Sequence, residues 1–149
     1  MTAPGVRELV AVSRRIGAGV PYWTQGAGGN LSWKDRTADR LWIKASGIRL
    51  DRVGEGDGMG LACVLLSALR DRVANARGDA ADAEVTYARW LTELAESGRP
   101  SMESGFHAVL NKEYVAHFHS LVAVLVAGRG LAEFTDDLRD LLARISHQV

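Results

Sequence analysis

The chain has 149 residues, of which 47% are hydrophobic and 24% are charged, the composition of an ordinary globular protein with enough length for one hydrophobic core. Its 18 basic residues balance its 18 acidic residues, so no net positive field favours nucleic acid or an anionic membrane as a partner. An anion must therefore be bound by local geometry, through a loop or the end of a helix.

The N-terminus, the lack of a long apolar run and the single cysteine make a cytoplasmic location the default expectation. The N-terminus lacks a basic region followed by an apolar core, so we expect no signal peptide. No apolar run approaches the roughly 20 residues that span a bilayer. Cys63 has no partner for an internal disulfide. It lies in the apolar run 61–66, where a buried, unreactive thiol is expected.

The first part of the chain predicts one helix and one hairpin. Apolar residues recur at helical spacing over 6–20, which predicts an amphipathic helix. A glycine-dense loop follows at 24–30. Two short β-prone runs, 31–34 and 41–44, are joined by a polar turn and predict a hairpin. The second run leads directly into a turn of small residues at 45–48.

The middle of the chain predicts two helices separated by a loop. Segment 57–72 indicates a helix with Leu61, Val64, Leu65 and Leu69 as its buried stripe. Segment 75–83 is rich in Ala, Gly and Asp and predicts an exposed loop. Segment 84–95 suits a short helix, which the breaker sequence Ser97-Gly98-Arg99-Pro100 ends.

The last part of the chain mixes short strands with helices. Ser101 suits the N-cap of a helix, segment 114–117 predicts a buried strand, and 121–127 fits either a helix or a strand. Segment 136–146 predicts a final amphipathic helix. Because strands and helices alternate irregularly, the sequence favours an α/β sandwich with a largely antiparallel or mixed sheet.

Two histidines and one glutamate are the candidates for metal and acid/base chemistry. On an extended strand His117 and His119 would point to the same face, so both imidazoles could bind one ion. The alternative is a half-exposed strand without a metal. Glu103 and His107 are four residues apart on a predicted helix and share a face. They suit either acid/base chemistry or an ordinary solvent-facing helix pair.

Two small-residue loops are the candidates for anion binding. In 26–30 successive glycines let backbone N–H groups converge on an anion, and Asn30 adds a side-chain donor. The loop matches neither the dinucleotide fingerprint nor the P-loop. Ser46-Gly47 lies where a strand ends, a common place for ligands. Taken alone, each loop is equally compatible with a simple turn.

The order of these motifs is more specific than any one of them. The chain carries G-x-x-G-N-L-S, then K-A-S-G-I, then R-P-S-M-E-x-x-x-H, then H-x-H. This order resembles the class II aldolase family, which contains fuculose-phosphate and rhamnulose-phosphate aldolases and ribulose-phosphate 4-epimerase, with the adducin head domain in the same superfamily. The resemblance implies a three-layer α/β/α sandwich and one domain over residues 1–149.

The resemblance also implies roles for individual residues. Glu103 corresponds to the family's acid/base, and His117 and His119 correspond to two ligands of a divalent metal, usually Zn²⁺. His107 matches a family position without a catalytic step. The substrate would be a phosphorylated sugar, and the assembly a homo-oligomer, commonly a tetramer. The residues that correspond to the family's phosphate-binding positions are Gly28, Gly29, Asn30, Ser46, Gly47 and Ser101.

The sequence departs from the family pattern in two places. The family supplies a third metal histidine from a later His-Gly motif, whereas the surroundings of His147 do not match that motif. Met102 stands where aldolases of this group often carry a small polar residue. We therefore expect that the chain lacks the family's C-terminal part, and that it has weak turnover or none by itself.

Three functions remain open at this point. The first is a metal-dependent aldehyde-lyase or 4-epimerase that acts on a phosphorylated sugar, with a related dehydratase as a variant. The second is a non-catalytic binding or scaffold domain of the adducin type, or an inactive remnant. The third is an α/β domain whose motifs match by accident.

Overall fold

The computed structural model describes residues 3–19, 24, 26–56, 59–77, 80–119, 123–128, 130, 133 and 136. Of residues 19, 80, 81, 119 and 123–128 it describes the backbone. In chain order the elements are α1 (Pro4–Gly19), β1 (Asn30–Asp35), β2 (Arg40–Lys44), a 3-10 turn (Leu50–Arg52), β3 (Leu61–Leu65), α2 (Leu66–Ala74), α3 (Ala80–Leu94), β4 (Ala95–Ser97), α4 (Ser104–Val109), β5 (Tyr114–His119) and β6 (Ala123–Gly128).

The strands form a six-stranded sheet in the order β4-β3-β2-β1-β5-β6. All the pairings in this part of the chain are antiparallel. Strands β1 and β2 form the predicted hairpin, and β1 pairs on its other side with β5, which places Asn30 opposite His117. The described residues therefore combine helices with an antiparallel sheet, as the sequence predicts.

One face of the sheet packs against α1. Leu31 and Trp33 of β1 point to this face because alternate residues of a strand share a side. They form one buried cluster with Val6 and Leu9 of α1. Gly5 allows the close approach, since a Cβ atom there would lie 2.1 Å from the Trp33 ring. Burying each aliphatic side chain of this cluster contributes about 1.5–3 kcal/mol to stability.

The opposite face packs against α2 and α3 in its β2–β3 half. Leu41 of β2 and Val64 of β3 form a second buried cluster with Leu69 of α2 and Leu91 of α3. Arg70 of α2 also donates from Nε to the carbonyl oxygen of residue 108 in α4, at 2.6 Å. The sheet therefore has helices packed on both of its faces.

The same face carries a buried polar row where it passes through β1. Asn30, Ser32 and Lys34 alternate with Leu31 and Trp33 and are all almost fully buried. Buried polar groups need partners, and the segment around α4 supplies them. Ser32 Oγ lies 2.7 Å from Nδ1 of a histidine in α4, and Lys34 Nζ donates to a backbone carbonyl just after α4, at 2.7 Å. This polar row fixes α4 against the sheet.

The prediction of a helix over 57–72 is wrong for residues 59–65, and residues 57–58 lie outside the described chain. Residues Leu61–Leu65 form β3, which pairs with β2, and the helix begins only at Leu66. A short apolar run that is buried on both faces has no periodicity to distinguish a strand from a helix. Here the run lies between β2 and β4, so hydrogen bonding across the sheet decides in favour of a strand.

The remaining boundaries shift by a few residues. Helix α1 is confirmed at Pro4–Gly19. Helix α3 begins at Ala80, so the predicted exposed loop 75–83 is wrong in its last part, and its residues 78–79 lie outside the described chain. The chain turns into β4 at Ala95, a strand that the sequence did not predict.

Ser101 caps a turn rather than a helix. Helix α4 begins at Ser104, and Ser101 accepts the Glu103 N–H at its Oγ, at 3.3 Å, in the turn before it. The predicted strand at 114–117 is confirmed as part of β5. Of the ambiguous segment 121–127, residues 123–127 belong to strand β6, and residues 121–122 lie outside the described chain. The predicted helix 136–146 lies outside the described residues after its first position. Among the helices described, none has the length and apolar character to cross a bilayer.

Candidate functional site

The site is built where β1 begins and β5 passes beside it. Asn30 is the first residue of β1, and its register partner is His117 of β5. Gly29, immediately before β1, has a φ of +79°, and a Cβ atom there would lie 3.3 Å from the carbonyl oxygen of His117. Glycine is therefore required both by the backbone conformation and by the closeness of β5.

Glu103 reaches this pair from the turn before α4. Its Oε1 lies 3.2 Å from Nδ1 of His117, and its Oε2 accepts a hydrogen bond from the side-chain amide of Asn30. Both ionisable side chains are partly exposed, at 25% for Glu103 and 18% for His117. The carboxylate and the imidazole therefore lie together at a place that solvent or a ligand can reach.

Ser101 completes this group from the same turn. Its Oγ accepts a hydrogen bond from Asn30 Nδ2 at 2.9 Å, and Ser101 itself is only 9% exposed. Asn30 is 4% exposed, and its Oδ1 atom is buried without a hydrogen-bond partner in the described part of the chain. Four of the predicted site residues are thus in direct contact, although they come from three separate segments.

The Ser46-Gly47 turn is tied to the same place through its backbone. Ser46 N–H donates to the carbonyl oxygen of Arg99, at 2.8 Å, just before the turn that carries Ser101. Gly47 has a φ of +80°, and a Cβ atom there would meet nothing within 4 Å. This turn is therefore open towards solvent on the side of Gly47, as a ligand-binding turn needs to be.

Lys44 joins the two candidate anion loops, a role that was not predicted from the sequence. Its Nζ donates to the carbonyl oxygens of Ala27 at 3.1 Å, Ala45 at 3.2 Å and Ile48 at 2.7 Å. The side chain is only 1% exposed. Burial lowers the pKa of Lys44, and the nearby negative charge of Glu103 opposes this shift. The feature of the sequence that could have indicated this role is a lysine at the end of an apolar strand, just before the Ser-Gly turn.

His107 is a buried anchor and not a solvent-facing partner of Glu103. It is fully buried, and its Nδ1 lies 2.7 Å from Ser32 Oγ. Burial lowers the pKa of His107 to about 3, with the charge of Lys34 as the next cause. The imidazole is therefore neutral at ordinary pH. The interpretation of Glu103 and His107 as an exposed stabilising pair is wrong, because the β1 face covers the histidine.

The predicted metal ligands are only partly described. The backbone of His119 ends β5 opposite Ala123, while its side chain, like all of His147, lies outside the described residues. Within the described part of the chain, no group of three His, Cys, Asp or Glu side chains converges as a metal site. The imidazole of His117 beside the carboxylate of Glu103 supplies two donors of the kind that zinc accepts. The donor chemistry therefore fits a divalent cation.

A cavity of about 520 Å³ lies beside the site, between the end of α2, α3 and the beginning of α4. Aromatic and apolar side chains, including Tyr87, Trp90, Met102 and Phe106, form much of its wall. None of the predicted site residues lines it. Phe106 links the cavity wall to the site, because it lines the cavity and its ring centroid lies 5.7 Å from that of His117.

Comparison with known families and with solved structures relates the chain to class II aldolase domains. The model of the class II aldolase and adducin N-terminal domain matches residues 7–147. The N-terminal class II aldolase domain of a conserved protein from Thermoplasma acidophilum is similar in structure, with a TM-score of 0.64 and 24% identity. That alignment covers 81% of this chain and 57% of the other, and it shows a shared fold.

Two further structures are more distant. YgbL from Klebsiella pneumoniae, described as a putative aldolase/epimerase/decarboxylase, aligns with a TM-score of 0.47 and 22% identity over 78% of this chain and 46% of its own. An L-fuculose 1-phosphate aldolase aligns with a TM-score of 0.48 and 19% identity over 81% and 47%. The chain thus spans about half the length of the solved structures that it matches. None of the curated proteins matches it.

Proposed function

Because the chain belongs to the class II aldolase and adducin N-terminal domain family, we propose that it supplies the phosphate loops, the acid/base and part of the metal site of a lyase. This enzyme cleaves a carbon–carbon bond in a phosphorylated sugar, or breaks and rejoins that bond as a 4-epimerase. The observation that carries the proposal is the contact between Glu103 and His117 at 3.2 Å, with Asn30 bound to the same carboxylate.

The phosphate group of the substrate binds at the two loops that Lys44 joins. The donors proposed for it lie on three segments that are hydrogen-bonded to one another, through Lys44 to Ala27, Ser46 to Arg99 and Asn30 to Ser101. Preformed donors of this kind bind an anion without any net positive charge on the protein. Holding the phosphate at a fixed distance orients the reacting carbons and so lowers the entropic cost of reaction.

Glu103 moves the proton in the proposed reaction. Its carboxylate accepts the proton of the substrate hydroxyl group whose carbon becomes an aldehyde. The electrons of the broken carbon–carbon bond pass to the other fragment, which leaves as an enediolate. The protonated Glu103 then returns the proton to the carbon of that fragment. Asn30 keeps the carboxylate aimed at the site, because its amide donates to the same group.

His117 and His119 are the residues that would hold a divalent cation, and their imidazole groups favour Zn²⁺. When bound, the cation supplies a Lewis acid for the negative charge that develops on the substrate oxygens. The partial exposure of His117 and Glu103 leaves both side chains accessible to such an ion.

The proposal also covers the layer architecture, the cellular location and the oligomeric state of the protein. The helices packed on both sheet faces support a three-layer α/β/α sandwich. We propose a cytoplasmic homo-oligomer, with a tetramer as the arrangement common in the family.

Metal content and bond cleavage test this proposal together. We expect near-stoichiometric zinc by mass spectrometry of the purified chain, lost in a His117→Ala/His119→Ala double variant. Incubation of the metal-loaded chain with a panel of ketose phosphates tests for release of an aldehyde, which we expect to be slow. Zinc without cleavage would leave a metal-binding domain that needs further chain for turnover. The absence of both zinc and cleavage would favour the adducin-type binding domain instead.

A further inference from the structure

The first turn of α4 is joined to α3 by one hydrogen bond that the proposed chemistry does not use. The backbone N–H of Gly105 donates to the phenolic oxygen of Tyr87 at 2.5 Å. Gly105 is buried and lies two residues after Glu103. The bond therefore connects the segment that carries the proposed acid/base to a side chain on a different helix.

The contact leaves no space for a side chain at residue 105. A Cβ atom on Gly105 would lie 2.6 Å from the Tyr87 oxygen, which is closer than such atoms approach. The Tyr87 ring itself is held by Trp90, edge to face, at a centroid distance of 6.4 Å. Tyr87 also packs against the buried cluster that includes Leu69 and Leu91. Its oxygen is therefore held in one position, where it binds the backbone of α4.

Tyr87 supplies a partner that the beginning of a helix otherwise lacks. The first N–H groups of a helix have no partner within the helix. In this turn Ser101 accepts the N–H of Glu103 at its Oγ and that of Ser104 at its carbonyl oxygen. The N–H of Gly105 is the next in the chain, and Tyr87 accepts it. Gly105 and Tyr87 both line the cavity, so loss of this acceptor leaves a buried donor whose remaining partner is solvent that enters the cavity.

We propose that Tyr87 is a positioning residue that holds the Glu103 carboxylate in place against His117 and Asn30. It touches none of the reacting groups. It acts by fixing the first turn of α4 to α3, while Ser32 and Asn30 hold the same segment to the sheet through His107 and Ser101. The catalytic consequence rests on the proposed function of Glu103, whereas the structural consequence does not.

The structural consequence is measured by nuclear magnetic resonance on the full chain. A Tyr87→Phe variant keeps the ring but removes the accepting oxygen. We expect the amide of Gly105 to exchange with solvent at least roughly tenfold faster. The ring-nitrogen signal of His117, at fixed pH, should move towards its position in a Glu103→Gln variant. Tyr114→Phe is the matched control, because Tyr114 packs in the α1 cluster on the other face of the sheet and donates its hydroxyl to Glu8 at 2.6 Å.

The catalytic consequence is measured as a change in kcat separate from KM. A misplacement of about 1 Å at a catalytic group costs up to a hundredfold in rate, so we expect Tyr87→Phe to lower kcat about tenfold or more. KM for the ketose phosphate should stay within about threefold, because all the proposed phosphate-binding residues except Ser101 lie in the two loops that Lys44 holds. Tyr114→Phe should leave both constants near their original values, with comparable thermal stability in the two variants.

The structural and the catalytic measurements distinguish a failure of this inference from a failure of the proposed function. An unchanged Gly105 exchange rate in Tyr87→Phe, or a freed Gly105 amide with an unmoved His117 signal, would overturn the positioning role. An unchanged kcat in an active enzyme would also overturn it. If the unaltered chain cleaves no ketose phosphate, the proposed function fails, and the Gly105 and His117 signals still decide whether Tyr87 places Glu103.

Discussion

Asn30 and His117 lie opposite each other in the register of β1 and β5, and the side chains of both contact the carboxylate of Glu103. A shift of one residue in this register would turn one of the two side chains to the other face of the sheet. The alternation of Leu31 and Trp33 into the α1 cluster opposes such a shift. The hydrophobic packing on one face thus fixes the polar site on the other.

Replacement of Glu103 by Gln should abolish most of the turnover of the active enzyme. The amide keeps the size of the carboxylate but cannot accept and return a proton, and general acid–base catalysis typically contributes about 10²–10⁴-fold. We expect kcat to fall by about a hundredfold or more in steady-state cleavage assays. Glu113→Gln is the control, since the side chain of Glu113 accepts a hydrogen bond from Trp33 at 2.9 Å, on the α1 face of the sheet. Equal activity of the two variants would exclude Glu103 as the acid/base.

Replacement of Gly29 by Ala should destabilise the protein more than replacement of Gly47 by Ala. Both glycines have a φ close to +80°, so an alanine would strain the backbone by a similar amount at either position. At Gly29 the added Cβ atom lies 3.1 Å from Thr24 and 3.3 Å from the His117 carbonyl, whereas at Gly47 it meets nothing within 4 Å. We expect the two free energies of unfolding, from urea titrations, to differ by about 1 kcal/mol or more. Equal losses would mean that β5 yields easily at His117.

Lys34 should make the stability of the protein rise with pH above neutrality. Burial first, and then the charge of Arg70, lower the pKa of Lys34 from 10.5 to about 7. Between these two values the unfolded chain holds a proton that the folded chain has lost, so stability increases with pH. The contribution is at most about 1.4 kcal/mol per pH unit.

A Lys34→Met variant isolates this contribution. Urea unfolding of both proteins at several values between pH 7 and pH 10 gives the difference in free energy of unfolding, in which all other groups cancel. We expect the unaltered chain to gain stability relative to Lys34→Met as the pH rises through this window. Parallel curves for the two proteins would show that Lys34 keeps its ordinary pKa despite its burial.

The thiol of Cys63 should be unreactive until the protein unfolds. The side chain is 3% exposed, and burial, followed by the hydrogen bond to Glu96, raises its pKa to about 12. Since the thiolate is the reactive form, a thiol reagent at pH 8 should label the native chain very slowly and the guanidinium-unfolded chain at once. Cys63 is the only cysteine, so the whole signal belongs to it. Rapid labelling of the native chain would show that β3 opens easily.

Some features were readable from the sequence because they depend on local patterns. Helix α1 and the β1–β2 hairpin follow from hydrophobic periodicity and from a polar turn between β-prone runs. The family followed from the order of four short motifs, and residues 7–147 match its model. Burial of Cys63 followed from its apolar neighbours, and the structure confirms it. In each case the information lies within a few neighbouring residues.

Only the tertiary structure decided which residues meet. The run 61–65 is a strand because β2 and β4 lie on either side of it. Five apolar residues in a row have no periodicity that would distinguish a strand from a helix. Lys44 joins two loops, and Tyr87 fixes the turn that carries Glu103, through backbone groups that have no signature in sequence. Contacts of this kind depend on strand register and on helix packing, which arise from burial summed over the whole fold. The sequence by itself therefore determined the chemical groups of the site, and the packing of α3, α4 and the sheet determined their geometry.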